Sequence, residues 1–107
     1  MIKNGVPYTN ENGWEDKELV TDLPVEMQSK VLDWVKENFI PRKTKYEYAT
    51  SYGLKHILEK ELGLYLTNNQ FKDAMMKCGY YPTQANELNW HYRISAKSPA
   101  LKKARCC

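Results

Sequence analysis

Thr67-Asn68-Asn69-Gln70-Phe71-Lys72-Asp73-Ala74-Met75-Met76-Lys77-Cys78-Gly79 and Leu88-Asn89-Trp90-His91-Tyr92-Arg93-Ile94 are the stretches whose reading decides the fold. The first carries a capping box. The Thr67 hydroxyl is placed to accept from the Gln70 amide, and the Gln70 side chain to reach back, which settles two of the four orphan N–H groups at a helix start. Leu66 and Phe71 stand at the hydrophobic-staple positions. Phe71, Ala74, Met75 and Cys78 recur at helical spacing as an inner stripe, and Gly79 ends the helix. In the second stretch the period changes to two. Leu88, Trp90, Tyr92 and Ile94 share one face and Asn89, His91 and Arg93 the other, the pattern of a half-buried strand. Its simplest partner is Tyr80-Tyr81-Pro82, giving a hairpin.

Two more helices precede this pair. Thr50 or Ser51 caps a helix whose buried stripe is Leu54, Ile57, Leu58 and Leu62, with Gly63 in the left-handed position past its end. Upstream, Asp22 sits where a cap would sit and Pro24 suits a first turn. Met27, Val31, Trp34 and Val35 form a stripe, Lys30, Asp33, Lys36 and Glu37 face water, and Pro41 stops the helix near Asn38 or Phe39. Residues 41–49 are basic, with a periodicity that leaves loop and short strand both open. Residues 1–22 read as an irregular acidic arm, with room for a short hairpin, on turn dipeptides at Asn4-Gly5 and Asn12-Gly13. Residues 96–107 read as a flexible basic tail broken at Pro99.

The order helix, helix, helix, hairpin is that of a winged helix-turn-helix, a mainly α architecture with a small β-hairpin, over residues 23–95. Its third helix takes the recognition position. With the apolar stripe turned inward, Asn68, Asn69, Lys72, Asp73, Met76 and Lys77 are expected outside, where Asn and Lys suit groove edges and phosphates. Arg93 on the outer face of the wing, Arg42, Lys43 and Lys45 in the basic connection, and Lys97 in the tail complete the expected nucleic-acid surface. The plainer alternative is a set of cap-proximal and solvated polar residues, with Asp73 disfavouring phosphate.

The 107 residues fill one domain, and 42% hydrophobic with 27% charged residues argues against global disorder. The net charge of +3 is unevenly spread. Residues 1–40 hold four Lys/Arg against eight Asp/Glu, whereas residues 41–107 hold twelve against five. A basic segment of this kind is the footprint of a phosphate-binding surface. No apolar run is long enough for a membrane span or a signal-peptide core, so an intracellular place is expected, with reduced thiols at Cys78, Cys106 and Cys107. Cys78 reads as a buried small hydrophobe. No Cys or His spacing fits a metal site, and no cofactor is expected. P-loop, dinucleotide-loop and H-E-x-x-H patterns are missing, and no catalytic residue is assigned.

Ser51-Tyr-Gly-Leu-Lys-His56, Thr67-Asn-Asn-Gln-Phe-Lys72 with Ala74-Met75, Gly79-Tyr-Tyr-Pro82 and Leu88-Asn-Trp-His-Tyr-Arg-Ile-Ser95 resemble small winged-helix-like proteins of phages and integrated mobile elements of Gram-positive bacteria. They are also similar to winged-helix modules appended to phage and plasmid replication proteins. The resemblance covers about residues 42–96. It implies a winged-helix fold, a mobile-element setting and so a bacterial cytoplasm, and it transfers no catalytic residue.

The leading expectation is a small DNA-binding protein of a phage or mobile element, serving transcription control, replication or excision. Double-stranded DNA is the expected partner, although Tyr46, Tyr48, Tyr80 and Tyr81 are candidates to stack on unpaired bases. The alternative is an inhibitor of a host enzyme or defence system such as a CRISPR effector. In that case Glu11, Glu15, Asp16, Glu18 and Asp22 would mimic nucleic-acid charge. Leu32, off the main stripe of the first helix, is a candidate contact for a homodimer, unless the arm covers it.

Overall fold

Local signals set the helix boundaries. The computed structural model describes residues 2–3, 5–11, 14–16, 18–46 and 48–105, and is mainly helical. Four short strands come first, β1 (Ile2–Lys3), β2 (Val6–Pro7), β3 (Thr9–Glu11) and β4 (Trp14–Asp16). Helices α1 (Val25–Asn38), α2 (Ser51–Leu62), α3 (Asn68–Lys77) and α4 (Pro99–Arg105) follow a single 3-10 turn at Val20–Asp22. Among the described residues no helix is long and apolar enough to cross a membrane.

The three expected helices form where their caps place them. Thr50 Oγ1 accepts from Gly53 N (3.2 Å) at the start of α2, and Gly63 ends that helix at φ +66°. At α3 both arms of the capping box close: Gln70 N donates to Thr67 Oγ1 (3.1 Å) and Thr67 N to Gln70 Oε1 (3.0 Å). Replacing Thr67 by Ala should therefore cost about 1 kcal/mol, read as a shift in the urea midpoint. At α1 the cap differs from expectation. Pro24 itself is the N-cap, while the Asp22 carboxylate accepts from Leu19 N (2.7 Å) and closes the preceding 3-10 turn.

Val31, Trp34, Val35, Leu54, Leu58, Phe71, Ala74 and Met75 interlock as one core, and Trp34 Nε1 ties α1 to α2 through Glu61 Oε2 (3.1 Å). Leu32 packs partly buried against this core. Its carbonyl accepts the Cys78 thiol (3.7 Å). Burial pushes the Cys78 thiol above its ordinary pKa.

The hairpin is where the fold departs from the wing. Trp90, Tyr92 and Ile94 are fully buried and Asn89 and Arg93 exposed, so the alternation holds there, whereas Leu88 lies half-exposed. Tyr80–Pro82 forms no strand, however, and 90–95 makes isolated bridges, taking most of its backbone partners from 40–51 while Thr83 N donates to His91 O (3.0 Å). Arg42 N donates to Arg93 O (2.9 Å), Ser95 N to Ile40 O (2.7 Å), Tyr92 N to Ala49 O (3.0 Å) and Ser51 N to Trp90 O (2.8 Å). Alternation specifies that a strand has one buried face, and is silent on which backbone completes its hydrogen bonds.

The Tyr92 hydroxyl is buried without a hydrogen-bond partner, and burial drives its phenol well above the ordinary tyrosine range. The folded state therefore holds this proton more tightly than the unfolded chain does. Its contribution is complete below the ordinary pKa of about 10 and is lost as pH rises from there toward the folded value. Tyr92→Phe removes an unsatisfied polar atom. It should leave stability unchanged or raise it by about 1 kcal/mol at neutral pH and flatten the alkaline decline, both measurable by denaturant titration.

The C-terminal stretch is also corrected. Pro99 opens α4 rather than breaking structure, because a first-turn residue needs no N–H partner. Ser98 is fully buried, its hydroxyl accepting from Ile40 N (2.8 Å), and Ala100 and Leu101 join the core. Cys106 and Cys107 lie outside the described residues. So do Asn4, Asn12 and Gly13 of the expected turns, where Lys3 pairs with Val6 and Glu11 with Trp14.

Candidate nucleic-acid interface

Helix α3 does not present the polar face expected of a reader. Asn68 is 1% exposed, and Asn69 and Lys72 are fully buried. Their side chains serve the chain's own irregular backbone. Asn69 Nδ2 donates to Glu18 O (2.8 Å), Asp73 Oδ2 accepts from Val20 N (3.0 Å), and Gln70 Nε2 meets Glu18 Oε2 (3.3 Å). On another side Lys72 Nζ donates to the Leu88 carbonyl and lies over the Trp90 ring, 4.7 Å from its centre. The arm and the 88–90 segment thus cover α3, each fixed by polar side chains that satisfy backbone groups outside regular structure. Asn69 and Lys72 are removed from any surface contact, and Asn68 reaches the surface only as lining of a cleft between α2 and the start of α3. Lys77 stays exposed and pairs with Asp73 (2.9 Å). The side chains of Glu11, Glu15 and Asp16 lie outside the described residues, while Glu18 and Asp22 are engaged within the chain.

The remaining basic residues come together elsewhere. Residues 40–42, Tyr46 (its N donating to Tyr92 O, 3.2 Å) and 49–51 bond to 90–95, so 43–45 leaves the pairing between them. That excursion brings Lys43 and Lys45 to Arg93, about fifty residues away in sequence. The three border a concavity of about 420 Å³ with Thr44, Thr83 and Glu87. Lys43, Lys45 and Arg93 are all exposed. Arg42 is instead bound up in the loop itself. Its Nε donates to Thr44 O (2.8 Å), its Nη2 to Lys45 O, and its guanidinium lies over Tyr46, 4.8 Å from the ring centre. Arg42 positions the loop that carries the two lysines. Thr83 Oγ1 is buried with no hydrogen-bond partner. Among the described residues Glu87 is the one acid on the rim, and its Oε1 lies 3.4 Å from His91 Nδ1. Lys97 is exposed beyond the Pro41–Ile94 bridge.

Sequence reading placed Arg42, Lys43, Lys45 and Arg93 on the interface without any means of joining them, because the joining lies in the 42–93 and 49–92 backbone bonds. It missed Thr83 and Glu87 as rim residues. The tyrosines singled out for stacking are divided. Tyr46 packs edge-on against Tyr48 (5.5 Å) and Tyr80 donates to Phe39 O (3.2 Å), while Tyr48 and Tyr81 are exposed. No family model matches the chain, and no curated protein or solved structure shows significant similarity to it.

Proposed function

We propose that this protein binds nucleic acid through phosphates, with Lys43, Lys45 and Arg93 as the contacting cations. One observation carries the reading: three exposed cations from two distant parts of the chain converge on one concavity, with Glu87 its one acid among the described residues. Such a cluster attracts a polyanion and, with the Arg42-held loop, presents its charges in fixed register. The setting is the one the resemblance implies, a mobile-element protein acting on DNA in transcription control, replication or excision. Within a winged-helix frame the α2–α3 pair becomes scaffold, and contact moves to the connection before α2 and to Arg93.

Fluorescence-anisotropy titration with duplex and single-stranded DNA, at low and near-physiological salt, tests this. The expected result is binding that weakens steeply with salt, since each phosphate contact releases counterions. Glu87→Gln should tighten it by removing the repelling carboxylate. No binding at low salt overturns the proposal and turns the search to a protein partner such as a host enzyme.

A further inference from the structure

A second cleft, of about 340 Å³, opens between α2, Tyr65, the start of α3 and residues 88–89. Tyr52 and Tyr65 line it, 55% and 70% exposed, together with half-exposed Leu88. Lys55 lies beneath, almost wholly buried. Its Nζ donates to Leu66 O (3.1 Å), lies 3.5 Å from Glu59 Oε2, and is 5.8 and 5.2 Å from the centres of the Tyr52 and Tyr65 rings. One tethered cation thus lies against both rings, His56 packs edge-on against Tyr52 (4.3 Å), and both tyrosines remain more than half exposed. The Lys55 charge is offset by Glu59, so the cleft suits an uncharged guest. Asn68 also lines it: Nδ2 contacts Leu88 O and Asn89 Oδ1 (both 3.4 Å), and Oδ1 is buried with no partner. An orphan acceptor beneath an open aromatic cleft calls for an explanation. A guest seated in the cleft with an edge donor toward Asn68 would satisfy it.

We infer that this cleft takes one unpaired nucleobase of a single strand, stacked on Tyr52 or Tyr65 with an edge N–H toward Asn68. Every base combines a π-face with at least one edge donor, and stacking on exposed aromatic side chains is how single strands are held without sequence readout. The inference rests on the phosphate-binding reading, since the same strand would cross the 83–89 segment into the Lys43–Lys45–Arg93 concavity.

The test compares a labelled deoxycytidine strand of about a dozen nucleotides with an abasic phosphodiester strand of equal length, by anisotropy. The deoxycytidine strand should bind roughly tenfold tighter or better. Tyr52→Leu with Tyr65→Leu, both at exposed positions, should bring it down to the abasic level and leave abasic binding and the circular-dichroism spectrum unchanged. Equal affinity of both strands for the parent protein overturns the base site and leaves the phosphate site standing, as does a preference that survives the double substitution. If neither strand binds, both readings fall. Amide shifts give a separate check: deoxycytidine at millimolar concentration should move Tyr52, Tyr65 and Leu88, and inorganic phosphate should move Lys43 and Arg93. Deoxycytidine shifts absent from the cleft count against the inference.

Discussion

Lys72→Glu is expected to unfold the protein, whereas Lys77→Glu leaves it folded. The two lysines are five residues apart on one helix and look equivalent in a helical projection that turns the Phe71 stripe inward. Their surroundings differ. Lys72 is fully buried, with its Nζ on the Leu88 carbonyl and its charge over the Trp90 ring. A carboxylate there would face a carbonyl oxygen in a dry site, and buried charges without a matched partner cost about 3–5 kcal/mol. That is a large share of the roughly 5–15 kcal/mol that holds a domain of this size together. Lys72→Met is the graded version. It keeps the packing of the stem on Trp90 and removes the donor to Leu88, for a cost of about 1–3 kcal/mol. Lys77 is itself exposed and can turn to water, but its partner Asp73 is buried and holds Val20 N, so Lys77→Glu should cost about 1–3 kcal/mol, less than Lys72→Glu, and leave the chain folded. Thermal unfolding followed by circular dichroism separates the cases. A Lys72→Glu protein with the parent's melting temperature would show that this position tolerates a carboxylate and that the outer face of α3 is open after all. The same logic warns that lost DNA binding in a Lys72 charge reversal would report unfolding.

This contrast marks the line between what the sequence makes legible and what it hides. Helix ends are local. Thr67 with Gln70, Thr50 with Gly53 and Gly63 at positive φ are decided within four residues, and each stands where the sequence puts it. The buried stripe of each helix is likewise a matter of spacing. What a polar residue on the opposite face does is decided by distant chain. Asn69, Asp73 and Lys72 read as a wet surface because most such residues are wet. Here they are the fastenings for the arm at 18–20 and the segment at 88–90, two stretches whose backbone groups have no sheet or helix to satisfy them. A polar face this dense in Asn and Asp, next to long irregular segments, is the one available hint. The extended segment at 90–94, which makes isolated bridges in place of the expected strand, is similar. Alternation identifies its inner face, yet the choice between 80–82 and 40–51 as partner depends on hydrogen bonds that leave no periodic trace. Pro99 misleads for a different reason: the same residue that breaks a helix interior starts a helix well.

The largest functional effect is expected from the loop-borne cations. In the proposed reading, replacing Lys43, Lys45 and Arg93 together by Ala removes three phosphate contacts. Each contributes roughly 0.9 to the slope of log affinity against log salt, so the slope should fall by about 2.7 on a duplex. At low salt each lost charge-assisted contact is worth on the order of tenfold in affinity, so binding of the triple variant should weaken by about a thousandfold. All three side chains are exposed, and their removal should not move the melting temperature. Arg42→Ala is the informative companion. Its guanidinium holds the Thr44 and Lys45 carbonyls and covers Tyr46, so it acts on the shape of the loop. It should lower affinity while lowering the salt slope by less than any of the three contacts does, because the lysines stay charged but lose their fixed register. Lys102→Ala, an exposed cation on α4 away from the concavity, serves as the control for net charge. If it weakens binding as much as Lys43→Ala, the attraction is a property of the whole basic half and the concavity is not the site. If the triple variant keeps the parent's affinity and slope, phosphate recognition at this position is wrong. The converging geometry of 42–45 with 93 would then need another explanation.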